Sequence, residues 1–227
     1  MNRLVLLATA LALSAIPAWA GVVTGGTRVI YPADKKEVSL PVRNPEKSGV
    51  YLIQSWVDTG TSGERGPFIV TPPLFRINSG EENLLRIIRT GGNLPQDRES
   101  IFWLNVKSIA ADDSSKPHTN VLQLVVKTRV KLFYRPTGLP GDPQQAYRQL
   151  QAVRQGNRLI IRNPTPYYVT LFTLTVDGKE IKEADLVAPF GSVNFALPAA
   201  TASSVVWQAI NDYGGITEPE RRHVQEG

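Results

Sequence analysis

The chain has 227 residues, 42% of them hydrophobic, a formal charge of +5 and no cysteine. That length allows one large domain or two small ones, and the missing cysteines exclude a disulfide framework and thiolate metal sites, so core burial has to hold the fold. The lysines and arginines are scattered rather than clustered, which reads as a basic surface and argues against a nucleic-acid interface.

Residues 1–20, MNRLVLLATALALSAIPAWA, place Arg3 ahead of an apolar run from Leu4 to Leu13 and end in Ala18 and Ala20. This is the pattern of a secretory signal cut after Ala20. The run is too short for a transmembrane helix, which needs about 20 apolar residues, and no later segment is long and apolar enough. The mature chain is therefore expected to be exported and soluble, without membrane insertion.

Next come short alternating runs. Val38, Leu40 and Val42 alternate with Ser39, Pro41 and Arg43, and Leu84, Arg86 and Ile88 with Leu85, Ile87 and Arg89. Asn44-Pro45, Pro72-Pro73, Ser79-Gly80 and Gly91-Gly92 punctuate them at strand-like spacing. Leu40 to Asp58, LPVRNPEKSGVYLIQSWVD, also aligns without a gap to Leu159 to Asp177, LIIRNPTPYYVTLFTLTVD. Leu40, Arg43, Asn44, Pro45, Val50, Leu52, Val57 and Asp58 all recur. The repeat and the strand pattern predict an all-β chain of two related antiparallel sandwiches of immunoglobulin type, with Trp56 a candidate core tryptophan. Between them, Asp142, Pro143 and the run to Arg154 predict a helix with an N-cap and proline at its first position. The boundary falls in the turn-rich segment Arg135 to Pro140, dividing the mature chain into 21–137 and 138–227.

No G-x-S-x-G, H-E-x-x-H, P-loop or G-x-G-x-x-G motif occurs. His118 and His223 are separate and sit in polar surroundings, which does not make a metal site. No catalytic residue, metal or cofactor is expected, and the chain does not read as an enzyme.

The stretch Asn120 to Pro136, NVLQLVVKTRVKLFYRP, is the most informative. Leu122, Leu124 and Val126 point one way and Val121 and Val125 the other, so both faces of its first half are apolar. It is either a central strand buried on both sides or an edge strand awaiting a partner, since Val121 to Val126 lacks the charge or proline that usually blunts an edge.

Several motifs converge here. LPQDRESIFWLN (94–105), KLFYRP (131–136), NPTPYYVT (163–170) and INDYGG (210–215) resemble marks of the periplasmic chaperones of chaperone-usher pilus assembly, in the expected order over essentially the whole mature chain. One departure is Ala110, where the family pattern has proline. The resemblance implies two immunoglobulin-like domains set at an angle with a cleft between them. It implies a pilus subunit as client, completed by donor-strand complementation from a strand at about 120–134, with Leu122, Leu124 and Val126 entering its groove. Arg28 and Lys131 match the two cations that hold the subunit's C-terminal carboxylate, and Glu99, Arg135 and Asp212 match an interdomain salt-bridge network. The modest segment Ala110 to Thr119 places the chain in the short-loop branch of the family. An outer-membrane usher is the implied second partner, and self-association of the free chaperone is left open. The alternative reading is an exported immunoglobulin-like pilus subunit or adhesin that binds a host ligand. Against it, little chain separates Ala20 from the strand with Arg28, whereas a subunit should carry an N-terminal extension of alternating apolar residues.

Overall fold

The computed structural model describes residues 21–60, 63–111, 124–197 and 203–227. They form two β-sandwiches, each with its own buried core. In the first, one sheet orders the strands Val23–Thr24, Glu37–Arg43, Glu82–Arg89 and Phe68–Thr71. The facing sheet orders Arg28–Pro32, Val125–Arg135, Ser100–Ala110, Tyr51–Asp58 and Leu74–Ile77. Alternation decides which residues go inside. Leu40 and Val42, Leu85 and Ile87, Ile53 and Val57, and Leu104 and Val106 are buried between the sheets with Val130, Leu132 and Tyr134.

The second sandwich packs Ser192–Ala196, Arg158–Arg162, Gln151–Gln155 and Gln225–Glu226 against Lys179–Glu180, Val169–Val176, Ser204–Ala209 and Glu220–His223. Its central side chain is Trp207, fully buried, whose Nε1 donates to the Tyr147 carbonyl at 2.9 Å. An indole inside a core needs such an acceptor.

Two expectations from sequence are corrected here. Trp56 is not a core residue: Ile53, Ser55 and Val57 turn inward, so the pleat sends Trp56 to the outer face, where it lies half-buried under the Lys127 ammonium, 5.2 Å from the ring centroid. The helix beginning after Asp142 is also shorter than its pattern. The Asp142 side chain accepts from the Gln144 N–H, but the turn is a 3₁₀ helix, Pro143–Gln149. From Gln151 the chain pairs with Arg158–Arg162 across a turn in which Gly156 takes a φ of 59°. That ladder, with Ala152 and Val153 buried, outweighs the helical preference of the same residues.

The internal repeat has a structural counterpart. Asn44 and Asn163 both stand where a strand leaves one sheet for the other, and both are buried. Asn44 Nδ2 donates to the Gly49 carbonyl at 3.1 Å, and its Oδ1 accepts from the Glu46 N–H at 3.2 Å. Asn163 Nδ2 donates to the carbonyls of Tyr167 at 2.7 Å and Ala188 at 3.1 Å, while Oδ1 accepts from the Thr165 N–H at 3.0 Å. A carboxamide offers donors and an acceptor on one short arm, so it can satisfy a buried chain reversal that backbone pairing leaves open. The following proline has no N–H and so needs no acceptor there.

Asn163→Ala should therefore cost about 2–4 kcal/mol, because each buried polar group left unpaired costs about 1–3 kcal/mol. Urea unfolding of the variant, followed by tryptophan fluorescence, is the check; a loss below about 0.5 kcal/mol would remove the asparagine from this role.

Candidate functional site

The site is built around one strand. Val125–Arg135 pairs antiparallel with Ser100–Ala110 along nearly its whole length, from Ile109 opposite Val125 to Ser100 opposite Tyr134. On its other side the parallel partner Arg28–Pro32 covers only Lys131 to Arg135, starting with Arg28 opposite Lys131. The strand is thus central in its cationic half and an edge in its apolar half. Leu124, Val125 and Val126 are 67%, 49% and 52% exposed. Large apolar side chains on an unpaired edge are what soluble proteins normally avoid. Leu122 and most of the segment Ala110 to Thr119 lie outside the described residues.

The outward face of the same strand carries Lys127, Arg129 and Lys131, and all three have partners that sequence reasoning missed, Lys127 being the cation already placed over Trp56. Arg129 Nη2 lies 3.2 Å from Oδ1 of buried Asp58, and its guanidinium stacks over Trp103 at 4.5 Å from the centroid. Asp58 also accepts from Asn105 Nδ2 at 2.8 Å and from the Gly60 N–H at 3.0 Å. Gly60 sits so close to Trp103 that a Cβ there would fall 2.5 Å from its Nε1. Thus Arg129 is a stacked and paired cation that braces the strand. Its signal was the aspartate closing the repeated Val57-Asp58, which had no role when read alone.

Where the strand enters the space between the sandwiches, the side chains from both domains meet. Phe133 packs on Tyr168, with centroids 5.5 Å apart. Arg135 Nε donates to Glu99 Oε1 at 2.6 Å, while Nη1 and Nη2 donate to the two carboxylate oxygens of Asp212 at 2.7 and 3.0 Å. Glu99 Oε2 accepts the Tyr168 N–H at 2.7 Å, and the Glu99 N–H donates to the Pro166 carbonyl at 2.9 Å. Glu99 and Arg135 come from the first sandwich and Asp212 from the second, so this group fastens the two together. Burial works against the charge of Arg135, but the bonds to Asp212 and the attraction of Glu99 more than offset it and raise its pKa. Burial also raises the Glu99 carboxyl above the ordinary range, against the opposing pull of Arg135 and the Tyr168 N–H.

Arg28 and Lys131 are brought together at the mouth of this cleft by their parallel register. Arg28 Nη1 donates to the Ile210 carbonyl at 2.8 Å and lies over Phe133, while its buried Nε has no partner among the described residues. Burial lowers the Arg28 pKa, partly countered by Asp212, Glu99 and Asp185. Lys131 Nζ meets Asp185 Oδ1 of the second sandwich at 2.6 Å, a partner for which the sequence held no signal.

Two immunoglobulin-like sandwiches joined by a buried ionic clasp, with an apolar strand edge running into a cationic cleft, define a binding protein that, among the described residues, leaves part of one sheet unpaired. Residues 21–140 match the model of the pili and flagellar-assembly chaperones, PapD N-terminal domain, and residues 145–221 that of the pili assembly chaperone PapD, C-terminal domain. The probable fimbrial chaperone LpfB of Escherichia coli O157:H7 is 43% identical over 98% of this chain and 97% of its own. The chaperone FimC of Escherichia coli K12 is 47% identical over 91% of this chain and 86% of its own. Among solved structures, a chain of the Salmonella enterica SafA pilin–SafB chaperone complex superimposes with a TM-score of 0.83 at 34% identity, covering 92% of this chain and 99% of that one. The chain belongs to the PapD-like family of pilus-assembly chaperones, a periplasmic family, and is a chaperone of fimbrial assembly. The reading as a pilus subunit or adhesin is thereby set aside. Among the described residues no helix is long and apolar enough to cross a membrane.

The Glu99 carboxyl should titrate above 4.5, the value of an unperturbed glutamate. Because the folded pKa is the higher one, its contribution to stability is complete below the unfolded value and is lost as pH rises through the folded one. In Arg135→Ala the midpoint should climb further and stability fall by about 3–5 kcal/mol, the usual cost of breaking a buried pair. Carbon-13 NMR of the Glu99 carboxyl in both proteins checks this; equal midpoints would mean that Arg135 does not act on Glu99.

Proposed function

We propose that this chain, cut after Ala20 and exported to the periplasm as domains 21–137 and 138–227, captures pilus subunits by lending them its open strand and passes them to an outer-membrane usher. It works by binding rather than by catalysis. The observation that carries the reading is the half-covered strand Val125–Arg135, whose free edge ends at the paired cations Arg28 and Lys131.

An added strand from a client would satisfy the backbone groups of residues 125–130 on the side that Arg28–Pro32 does not reach. Backbone pairing tolerates varied sequences, so one chaperone can serve several subunits. Leu122, Leu124 and Val126 would fill the groove of a subunit lacking its last strand. Burying side chains of this size is worth about 1.5–3 kcal/mol each before the cost of ordering.

The subunit's terminal carboxylate would sit between Arg28 and Lys131. Each charge-assisted hydrogen bond contributes about 1.5–3 kcal/mol, and a fixed end sets the register of every residue along the added strand. The unpartnered Nε of Arg28 supports this role, since a buried donor without an acceptor is costly until one arrives. The clasp of Glu99, Arg135 and Asp212 would set the angle between the domains and hold the cleft at the width this requires.

Lys131→Ala and Arg28→Ala should each abolish the accumulation of a pilus subunit co-expressed in the periplasm, while the chaperone itself still folds by circular dichroism. Normal subunit levels with both cations removed would sink the anchor. Leu124→Glu should weaken capture at least tenfold in a pull-down, because it carries a charge into an apolar groove.

A further inference from the structure

Three cations and three carboxylates face one another in the cleft, but their attachments differ. Glu99 and Asp212 are locked on Arg135 by three bonds, and the Glu99 side chain is only 2% exposed. Among the described residues the Asp185 carboxylate makes one bond, to Lys131 Nζ at 2.6 Å, and its side chain is 65% exposed while that of Lys131 is 15% exposed. Its backbone is held, because the Asp185 carbonyl accepts from the Leu171 N–H and the next two residues pair with Val169 and Thr170. The second sandwich thus presents, from a held backbone, a solvent-facing carboxylate to the cation that the proposed anchor uses.

We infer that Asp185 occupies Lys131 in the free chaperone as an internal substitute for the client's terminal carboxylate, and that capture proceeds by exchange of one carboxylate for the other. The inference rests on the reading of Lys131 as the anchor. Both groups carry the same charge and the same acceptor oxygens, so either can satisfy Lys131, and the largely exposed Asp185 carboxylate can turn to water once displaced. The exposed side is the one from which a client can arrive. Asp185 therefore sets a threshold: a ligand that ends in a carboxylate displaces it, whereas a segment without that charge gains nothing at Lys131. The exchange also releases one bond across the cleft, coupling occupancy of the anchor to the link between the sandwiches.

The probe is an eight-residue peptide of alternating threonine and valine, made as the free acid and as the C-terminal amide. Its binding is measured by fluorescence anisotropy to the full mature chain. Asp185→Asn should bind the acid about two- to fivefold more tightly than wild type, the range expected for loss of a competing, largely exposed ion pair. Amide binding should not change, and Lys131→Met should erase the gain. If the acid is preferred in both proteins but Asp185→Asn gains nothing or loses affinity, Asp185 is not a competitor, and the anchor stands. If acid and amide bind equally in wild type and Asp185→Asn alike, the anchor reading itself falls. A second measurement needs no peptide. Acetylation of Lys131, followed by mass spectrometry, should run about two- to fivefold faster in Asp185→Ala than in wild type, with Lys35 as the unchanged control. Equal rates at Lys131 would overturn the inference.

Discussion

The structure depends on where a parallel pairing stops. Arg28–Pro32 is five residues long and lies against a strand of eleven, so it completes only the second half of Val125–Arg135. The point at which it begins has two effects. Among the described residues it leaves the backbone of residues 125–130 without a strand partner on one side, and it sets Arg28 opposite Lys131 where the open edge ends. An unpaired edge and a pair of cations at its end are therefore one feature of register. A shift by a single residue would turn every side chain of the strand to the other face.

Holding such an edge ready requires support that does not use the edge itself. On the outer face Arg129 is braced by Asp58 and Trp103, and Asp58 is itself satisfied by Asn105 and Gly60. At the far end Phe133 and Arg135 are fixed against the second sandwich by Tyr168, Glu99 and Asp212. Buried ion pairs seldom add much net stability compared with apolar packing, because both charges must leave water. They do impose geometry, since the planar guanidinium donates to its carboxylates only along set directions. A clasp of this kind suits a cleft whose shape matters more than its strength.

The two-sandwich plan and the family were legible because their signals are local. Period-two alternation around Leu40, Leu85 and Leu159 marks strands, and the buried Asn44 and Asn163 stand in the repeated Arg-Asn-Pro where backbone pairing is interrupted. Local pattern misled where the choice lay with a distant partner. Residues 151–154 close a run with the spacing of a helix, yet the ladder with Arg158–Arg162 claimed them. Trp56 looked like a core residue, and the inward turn of Ser55 and Val57 placed it outside.

The site divides along the same line. Sequence alone determined the apolar run Val121 to Val126, the cations that follow it and the residue types of Arg28, Glu99, Arg135 and Asp212, because side-chain chemistry is written in the chain. Only the tertiary structure decided that the strand is half edge and half centre, that Arg129 spends its charge on Asp58, and that Asp185 meets Lys131. Each of those depends on a contact between segments far apart in sequence, set by register and by the packing of one sandwich on the other, for which no local pattern of residues carries a signal.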